Sequence, residues 1–287
     1  MVNCAASLPH NCPSSQGTPP PGLDCEVRLT FVTGTSAAAR SSRESTTTRM
    51  PRVQDFTLQV CATHEAGPYT RLRVRCPELL NPRKSDELLP TAWLRLLVPD
   101  GGRQHQRGYT LVECDHGTGE ASIYMLHHDP AGPGSRWARS ARPGDRIGAQ
   151  LLAGQLYLQP PPDAGALYVG DLASAPAIAG AIAAAPASCD IAVVLQAEPG
   201  SWSPVPHTAC TLTIVSPDAG EDALIEAVTT IPGRDYAWLA LEASAAQPLR
   251  AALIAAGLPR DAVQYQGYWR RGTPMGRTVE TSARAAA

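Results

Sequence analysis

The feature that most constrains this chain is a change of pattern at Pro160-Pro161-Pro162. Before the prolines, from Val53 on, apolar and polar residues alternate over short segments: VQDFTLQVCATHE, YTRLRVRC, AWLRLLVP, GYTLVECD, EASIYMLHH, DRIGAQL and GQLYLQP. A period of two with turn residues between segments predicts an antiparallel barrel or sandwich. One helical turn is expected near SRWARSA. After the prolines, apolar runs (ALYVGD, DIAVVLQAE, CTLTIVS, YAWLALEA, AVQYQGYWRRG) alternate with helix-like stretches (LASAPAIAGAIAAAP, GEDALIEAVTTI, AAQPLRAALIAAG). Strands alternating with helices predict a parallel sheet. The expected organisation is therefore a β-domain over residues 50–162 and an open α/β domain over 163–275.

The flanks read differently. Residues 1–49 are rich in Ser, Thr, Pro, Gly and Ala, hold one strand-like piece (CEVRLTFVTG), and are expected to be disordered. Met50 immediately precedes the first patterned segment, which suggests a start assigned too far upstream. Residues 276–287 are expected to be a flexible tail. No run of about 18 apolar residues is present, so no membrane insertion is expected. A formal net charge of -2 gives no reason to expect nucleic acid or an anionic membrane as partner. The eight cysteines contain no Cys-x-x-Cys pair and no zinc-ligand spacing with histidine, which suits free thiols in a reducing cytoplasm and no metal site. A monomer is expected.

Two short segments carry candidate chemistry. The first is Arg107-Gly108-Tyr109-Thr110. An arginine can neutralise a pyrophosphate with two parallel hydrogen bonds, a tyrosine can lie against an aromatic ring, and a hydroxyl can meet a ring edge. On a strand Arg107 and Tyr109 share a face, and Thr110 joins them only if the strand bends or ends there. The second is the loop from His127 to Trp137. Gly132 and Gly134 free the backbone, and Ser135 is expected to cap a helix starting at Arg136 or Trp137. Such a helix start suits a phosphate, with Arg136 and Arg139 adding charge. His127 and His128 have no partner ligands at a useful spacing, and a structural role for His127 is the simpler expectation. No carboxylate dyad or nucleophile–base arrangement is present, so no catalytic acid–base residue is assigned.

Taken in order, these segments resemble the siderophore-interacting proteins, flavin-dependent ferric-siderophore reductases of the ferredoxin-reductase-like class. The resemblance rests on Arg107-Gly108-Tyr109-Thr110, on His127 with Gly132-Pro133-Gly134-Ser135-Arg136-Trp137-Ala138, on Ser140-Ala141-Arg142-Pro143-Gly144-Asp145, and on Gly267-Tyr268-Trp269-Arg270. It runs from about Pro51 to Gly272. It implies a six-stranded FAD-binding β-barrel followed by an NAD(P)-binding-like α/β domain. It further implies FAD held by Arg107, Tyr109, Thr110, His127, Gly132, Pro133, Gly134, Ser135 and Trp137. NAD(P)H would lie near Gly170, Asp171 and Glu242, and a ferric siderophore near Tyr268, Trp269, Arg270 and Arg271. The donor implied is NAD(P)H or a separate ferredoxin, and the product Fe(II).

This chain departs from the family pattern after its first α/β strand and again later. Leu172 and Ala173 stand where the family has Glu and Thr, and Leu241 stands where it has a glycine before Glu242. A lost hydroxyl, a lost charge and a side chain in place of glycine would all act on the nucleotide site. An alternative is therefore a flavin-binding siderophore-interacting protein with a degenerate nucleotide site, acting as a binding module or depending on a partner reductase.

Overall fold

The structure is a computed structural model that describes residues 53–80, 88–152, 155–274 and 276–280. The tail at 1–49 and the loop around Lys84 lie outside these residues. The alternating first half forms β1 (Val53–Ala66), β2 (Tyr69–Arg75), β3 (Trp93–Asp100), β4 (Arg103–Thr110), β5 (Val112–Asp115), β6 (Glu120–Leu126) and β7 (Arg146–Leu152), with α1 (Pro133–Ser140) between β6 and β7. The second half forms β8 (Gly165–Asp171), α2 (Ala175–Ala184), β9 (Asp190–Gln196), β10 (Thr211–Val215), α3 (Gly220–Thr229), β11 (Tyr236–Glu242), α4 (Ala243–Ala255), β12 (Val263–Trp269) and β13 (Thr278–Glu280).

The first sheet has the order β13-β4-β3-β7-β1-β2-β6-β5, all neighbours antiparallel. β4 and β5 belong to opposite ends of that order, yet only Leu111 separates them in sequence. The sheet is thereby wrapped into a barrel. Alternation fills it: Leu94, Leu96 and Val98 of β3 and Leu72 and Val74 of β2 point inward, while Arg71, Arg73 and Arg75 point out. Each inward Leu or Val contributes about 1.5–3 kcal/mol by leaving water, so a one-residue slip of register would be severe.

The second sheet has the order β10-β9-β8-β11-β12, all parallel. Every residue of β8 and β11 is buried, because helices cover both faces: α2 on one side, α3 and α4 on the other. The order reverses between β8 and β11, and ligands of such sheets bind outside the carboxyl ends at that switch point.

Three expectations need correction. The antiparallel barrel is as expected, though among the described residues its sheet carries eight strands where six were expected. One of the additional strands is β13, which comes from the segment read as a flexible tail and pairs with β4 through Thr278–His105, Val279–Gln104 and Glu280–Arg103. Three residues after a Gly/Pro stretch are too few to show a period, and their partner strand is remote in sequence. Conversely, the described residues of GQLYLQP, 155–160, form no strand. Side-chain amides take the place of a ladder there: Gln155 bonds both Trp93 N and Trp93 O (2.9 and 2.7 Å), and Gln264 bonds both Leu158 N and Leu158 O (2.9 Å each).

Among the described residues Cys61, Cys76, Cys114, Cys189 and Cys210 are free thiols, and no group of three or more His, Cys, Asp or Glu is placed to hold a metal. No described helix is long and apolar enough to cross a membrane.

Candidate functional site

β4 ends at Thr110, and the turn at Leu111 lets consecutive side chains share one cavity. Tyr109 and Thr110 both line a space of about 200 Å³ between the barrel and the α/β sheet. Arg107 is half-buried on the Tyr109 side of the strand, donates to Gln106 O at 2.8 Å and does not line the cavity. The Tyr109 hydroxyl reaches the start of α1. A Cβ on Gly134 would stand 2.1 Å from it, so only glycine admits the tyrosine there. Burial pushes this hydroxyl up to about 12, against the opposing charge of Arg107.

α1 begins earlier than expected. Gly132 is its N-cap with extended backbone and Pro133 occupies the first turn, where its fixed φ and missing N–H fit. Ser135 therefore lies inside the helix and is not the cap. Its hydroxyl meets His127 Nδ1 at 2.9 Å, and His127 Nε2 meets the Thr70 hydroxyl at 2.9 Å. Arg139 Nε also donates to His127 Nδ1, at 3.3 Å. Nδ1 is thus the acceptor and Nε2 carries the proton. Burial, then the Arg139 charge, hold His127 below the usual imidazole range. Arg136 is engaged elsewhere, bonded to Asp100 at 2.6 Å. Trp137 is half-buried against the barrel core.

The α/β residues converge on the switch point. Asp171 ends β8 and Glu242 ends β11, and both are buried. Asp171 accepts from Trp269 Nε1 at 2.6 Å, from Ala173 N at 2.8 Å and from Ser174 N at 3.3 Å. Burial raises its pKa, with the Trp269 bond opposing. Glu242 accepts from Ser244 N at 2.7 Å and Arg271 N at 3.1 Å. These two carboxylates hold the segment after β12 in place. Trp269 is thereby turned to Asp171, Tyr268 faces the cavity, and Arg270 and Arg271 are exposed. Gly170 is buried within β8 against Ser174.

The family departures fall in unlike places. Leu241 is fully buried among Leu167, Val169 and Leu249 on the far face of the sheet, so its side chain does not enter the site. The expectation that it obstructs a cofactor is corrected: strand alternation sends it to the α3–α4 side. Leu172 packs against the α2-side core while its carbonyl accepts the Tyr69 hydroxyl at 2.7 Å. Ala173 does line the cavity.

Sequence reasoning missed much of the lining. Trp93 and Arg95 of β3, Gln106 of β4, Tyr124 of β6 and Gln266 of β12 all face the cavity. Alternation marked them as outward residues, but an outward residue under a second domain looks the same in sequence as one under water. Two lining atoms have no hydrogen-bond partner although buried: Gln106 Oε1 and the Tyr268 hydroxyl. Burial pushes the Tyr268 hydroxyl above its ordinary range. Thr110 lies beside it, yet among the described residues no group completes a hydrogen bond to it. Buried polar groups are paired as a rule, so an orphan acceptor and an orphan hydroxyl on one cavity mark where a polar ligand binds.

An antiparallel barrel carrying Arg-x-Tyr-Thr, followed by a parallel sheet with its switch point facing the barrel, is the ferredoxin-reductase-like fold, and its first half matches a FAD-binding domain family. The chain belongs to the siderophore-interacting protein family. The siderophore-interacting FAD-binding domain matches residues 43–151 and the siderophore-interacting protein domain matches residues 164–272. It is 36% identical over 233 residues to the mycobactin import ATP-binding/permease protein IrtA of Mycolicibacterium smegmatis, covering 78% of this chain and 27% of that protein. The chain thus spans about a quarter of the length of the curated relatives it matches. Its fold is similar to that of a siderophore-interacting protein from Acinetobacter baumannii (TM-score 0.66, 17% identity, 78% of this chain and 93% of that one). It is also similar to a siderophore utilization protein from T. fusca (TM-score 0.62, 23% identity, 83% and 98%).

The residues present fit FAD. The orphan Gln106 Oε1 can accept from a ring N–H, the Tyr268 and Thr110 hydroxyls can meet ring edges, and no described lining residue is acidic. The start of α1 with Arg139 and Arg107 offers the positive charge a pyrophosphate needs.

Proposed function

We propose that this protein reduces Fe(III) held in a siderophore, using FAD on the barrel half (residues 50–162) and a donor, NAD(P)H or a ferredoxin, at the α/β half (residues 163–275). The observation that carries this is the cavity between the halves, with its two orphan polar atoms, in a chain whose first half is a siderophore-interacting FAD-binding domain. The flavin supplies acceptance of two electrons and their delivery one at a time. The protein's own part is placement. Tyr109 and Thr110 orient the ring edge, and Arg107, His127, Ser135 and the glycines of the α1 start hold the chain of the cofactor. Gly132, Pro133 and Trp137 shape that start. Fe(III) in the chelate would be the acceptor, one electron per iron, and oxygen chelators would then hold the Fe(II) less firmly. Arg270 and Arg271, exposed beside Tyr268 and Trp269, attract an anionic chelate. The IrtA relatives are named as mycobactin importers, which favours a siderophore as substrate and a cytoplasmic site of release.

A second reading concerns the donor. The carboxylates at the switch point, Asp171 and Glu242, already hold Trp269 and the Arg271 backbone, where a nicotinamide would otherwise approach. That favours a partner protein as donor. An anaerobic absorbance titration separates the two. The protein loaded with FAD is mixed with NADH or NADPH, then with a ferric chelate. Bleaching by a nucleotide and reoxidation with Fe(II) formation supports the reductase with a nucleotide donor. No bleaching, but rapid Fe(III) reduction after dithionite, supports the partner donor. Failure to take up FAD would sink both.

A further inference from the structure

Among the described residues that line the cavity Arg95 is the only charged side chain, and none is a carboxylate. It stands at the middle of β3, directly across from Gly108 of β4, so nothing on that strand covers it. Its other cross-strand partner is Gln150 of β7, a neutral amide. Its guanidinium lies 6.0 Å from the centre of the Trp93 ring, which is a wall of the same cavity. None of the ion pairs among the described residues involves it. The arginines of β2, further round the barrel, behave otherwise: Arg71 is paired with Glu113, and Arg73 with Glu120 at 3.0 Å. A half-buried guanidinium with an aromatic neighbour and no carboxylate is a standing positive charge aimed at whatever fills the cavity. In a cleft under a second domain that charge is screened less than on an open surface.

We propose that Arg95 stabilises the negative charge acquired by the bound flavin ring on reduction, and so sets its potential. The inference rests on the flavin reading above. Transfer of hydride from a nicotinamide brings two electrons and one proton to a neutral oxidised ring. The donor leaves as its oxidised cation, and the ring is left with one net negative charge. Oxidised flavin carries no ring charge for Arg95 to attract. The arginine therefore favours the reduced state selectively, and contributes little to retention of the oxidised cofactor. The neutral polar groups beside it, Gln106, Thr110 and Tyr268, fix the ring edge in both states.

The test is the midpoint potential of FAD bound to the full chain, measured by anaerobic equilibration with a reference dye, alongside the Kd for oxidised FAD from quenching of flavin fluorescence. Arg95→Gln should weaken the preference for reduced over oxidised flavin about tenfold. For a two-electron couple that is a fall of about 30 mV. The Kd for oxidised FAD should change less than about threefold. Arg95→Lys, which keeps the charge, should recover most of the lost potential. An Arg95→Gln protein with bound FAD at the wild-type potential would overturn the proposal and leave the flavin reading intact. So would an Arg95→Lys protein with the same fall as Arg95→Gln, since packing and not charge would then be the cause. A wild-type protein that takes up no FAD overturns the reading beneath it as well.

Discussion

At the residue scale, the two orphan atoms give the sharpest expectation because free and bound protein should respond with opposite sign. A buried hydroxyl without a partner costs about 1–3 kcal/mol. Tyr268→Phe removes that cost, so the FAD-free protein should melt about 2–4 °C higher per kcal/mol recovered. Loaded with FAD, the same variant should melt lower than wild type, because the flavin group bonded to that hydroxyl then loses its partner. Calorimetry of both forms checks this, and a rise in both would place the hydroxyl away from the flavin. His127 supplies a pH test. Its ring is held below the ordinary range, first by burial and then by Arg139, with Glu65 opposing and His128 assisting. The unfolded chain therefore binds the proton more readily. The contribution of His127 is complete above its unfolded value of about 6.5 and is lost as pH falls. Urea unfolding at pH 7.5 and 5.5 should show a larger loss of stability in wild type than in His127→Asn. Equal losses would mean that the Thr70–His127–Ser135 chain does not govern the titration.

At the element scale, β13 ties the segment after β12 back onto the strand that carries Tyr109 and Thr110. The strand ladder is joined by Gln106 N donating to Arg277 O at 2.8 Å and by His105 Nδ1 meeting the Thr278 hydroxyl at 3.0 Å. At about 1 kcal/mol for each net hydrogen bond, deleting residues 273–287 should lower Tm by roughly 5–10 °C and loosen FAD. An unchanged melting curve would mean that the strand adds nothing. This element also shows what a sequence reveals and what it withholds. Long periodic segments were legible: β2 and β3 alternate, while β8 and β11 are unbroken apolar runs because they are covered on both faces. β13 and the strand-free residues 155–160 were not. Both depend on partners far along the chain, β4 in one case and the amides of Gln155 and Gln264 in the other. The start of α1 was misplaced because Ser135 looked like a cap, when Pro133 had already opened the helix.

At the scale of the whole molecule, the site is legible only where a motif is local. Arg107, Tyr109 and Thr110 stand together in sequence, and two of the three line the cavity. Arg95, Gln106 and Tyr124 come into view only when the α/β half closes over the outer face of the barrel. Besides β13, a small clasp that no motif announces joins the halves. Trp202, in the loop between β9 and β10, stacks on Tyr124 with ring centres 6.2 Å apart and meets Tyr69 edge-on at 6.0 Å. A Cβ on Gly67 would stand 2.7 Å from the Trp202 Cβ, so the β1–β2 turn is cut away to admit the indole. The Tyr69 hydroxyl then crosses to Leu172 O at 2.7 Å, just past the end of β8. Tyr124 is fixed from the barrel side by Glu113, whose carboxylate also takes Ser122 at 2.6 Å and Arg71. Aromatic pairs contribute about 0.5–1.5 kcal/mol each beyond area, and the hydrogen bond about 1 more. Trp202→Ala with Tyr69→Phe removes both contacts and leaves each core whole. The expected result is a thermogram that splits from one transition into two, with flavin lost at the lower. A single peak displaced by a few degrees would mean that the barrel and the α/β sheet are coupled mainly through α2 and β13, and that the clasp only trims the cavity.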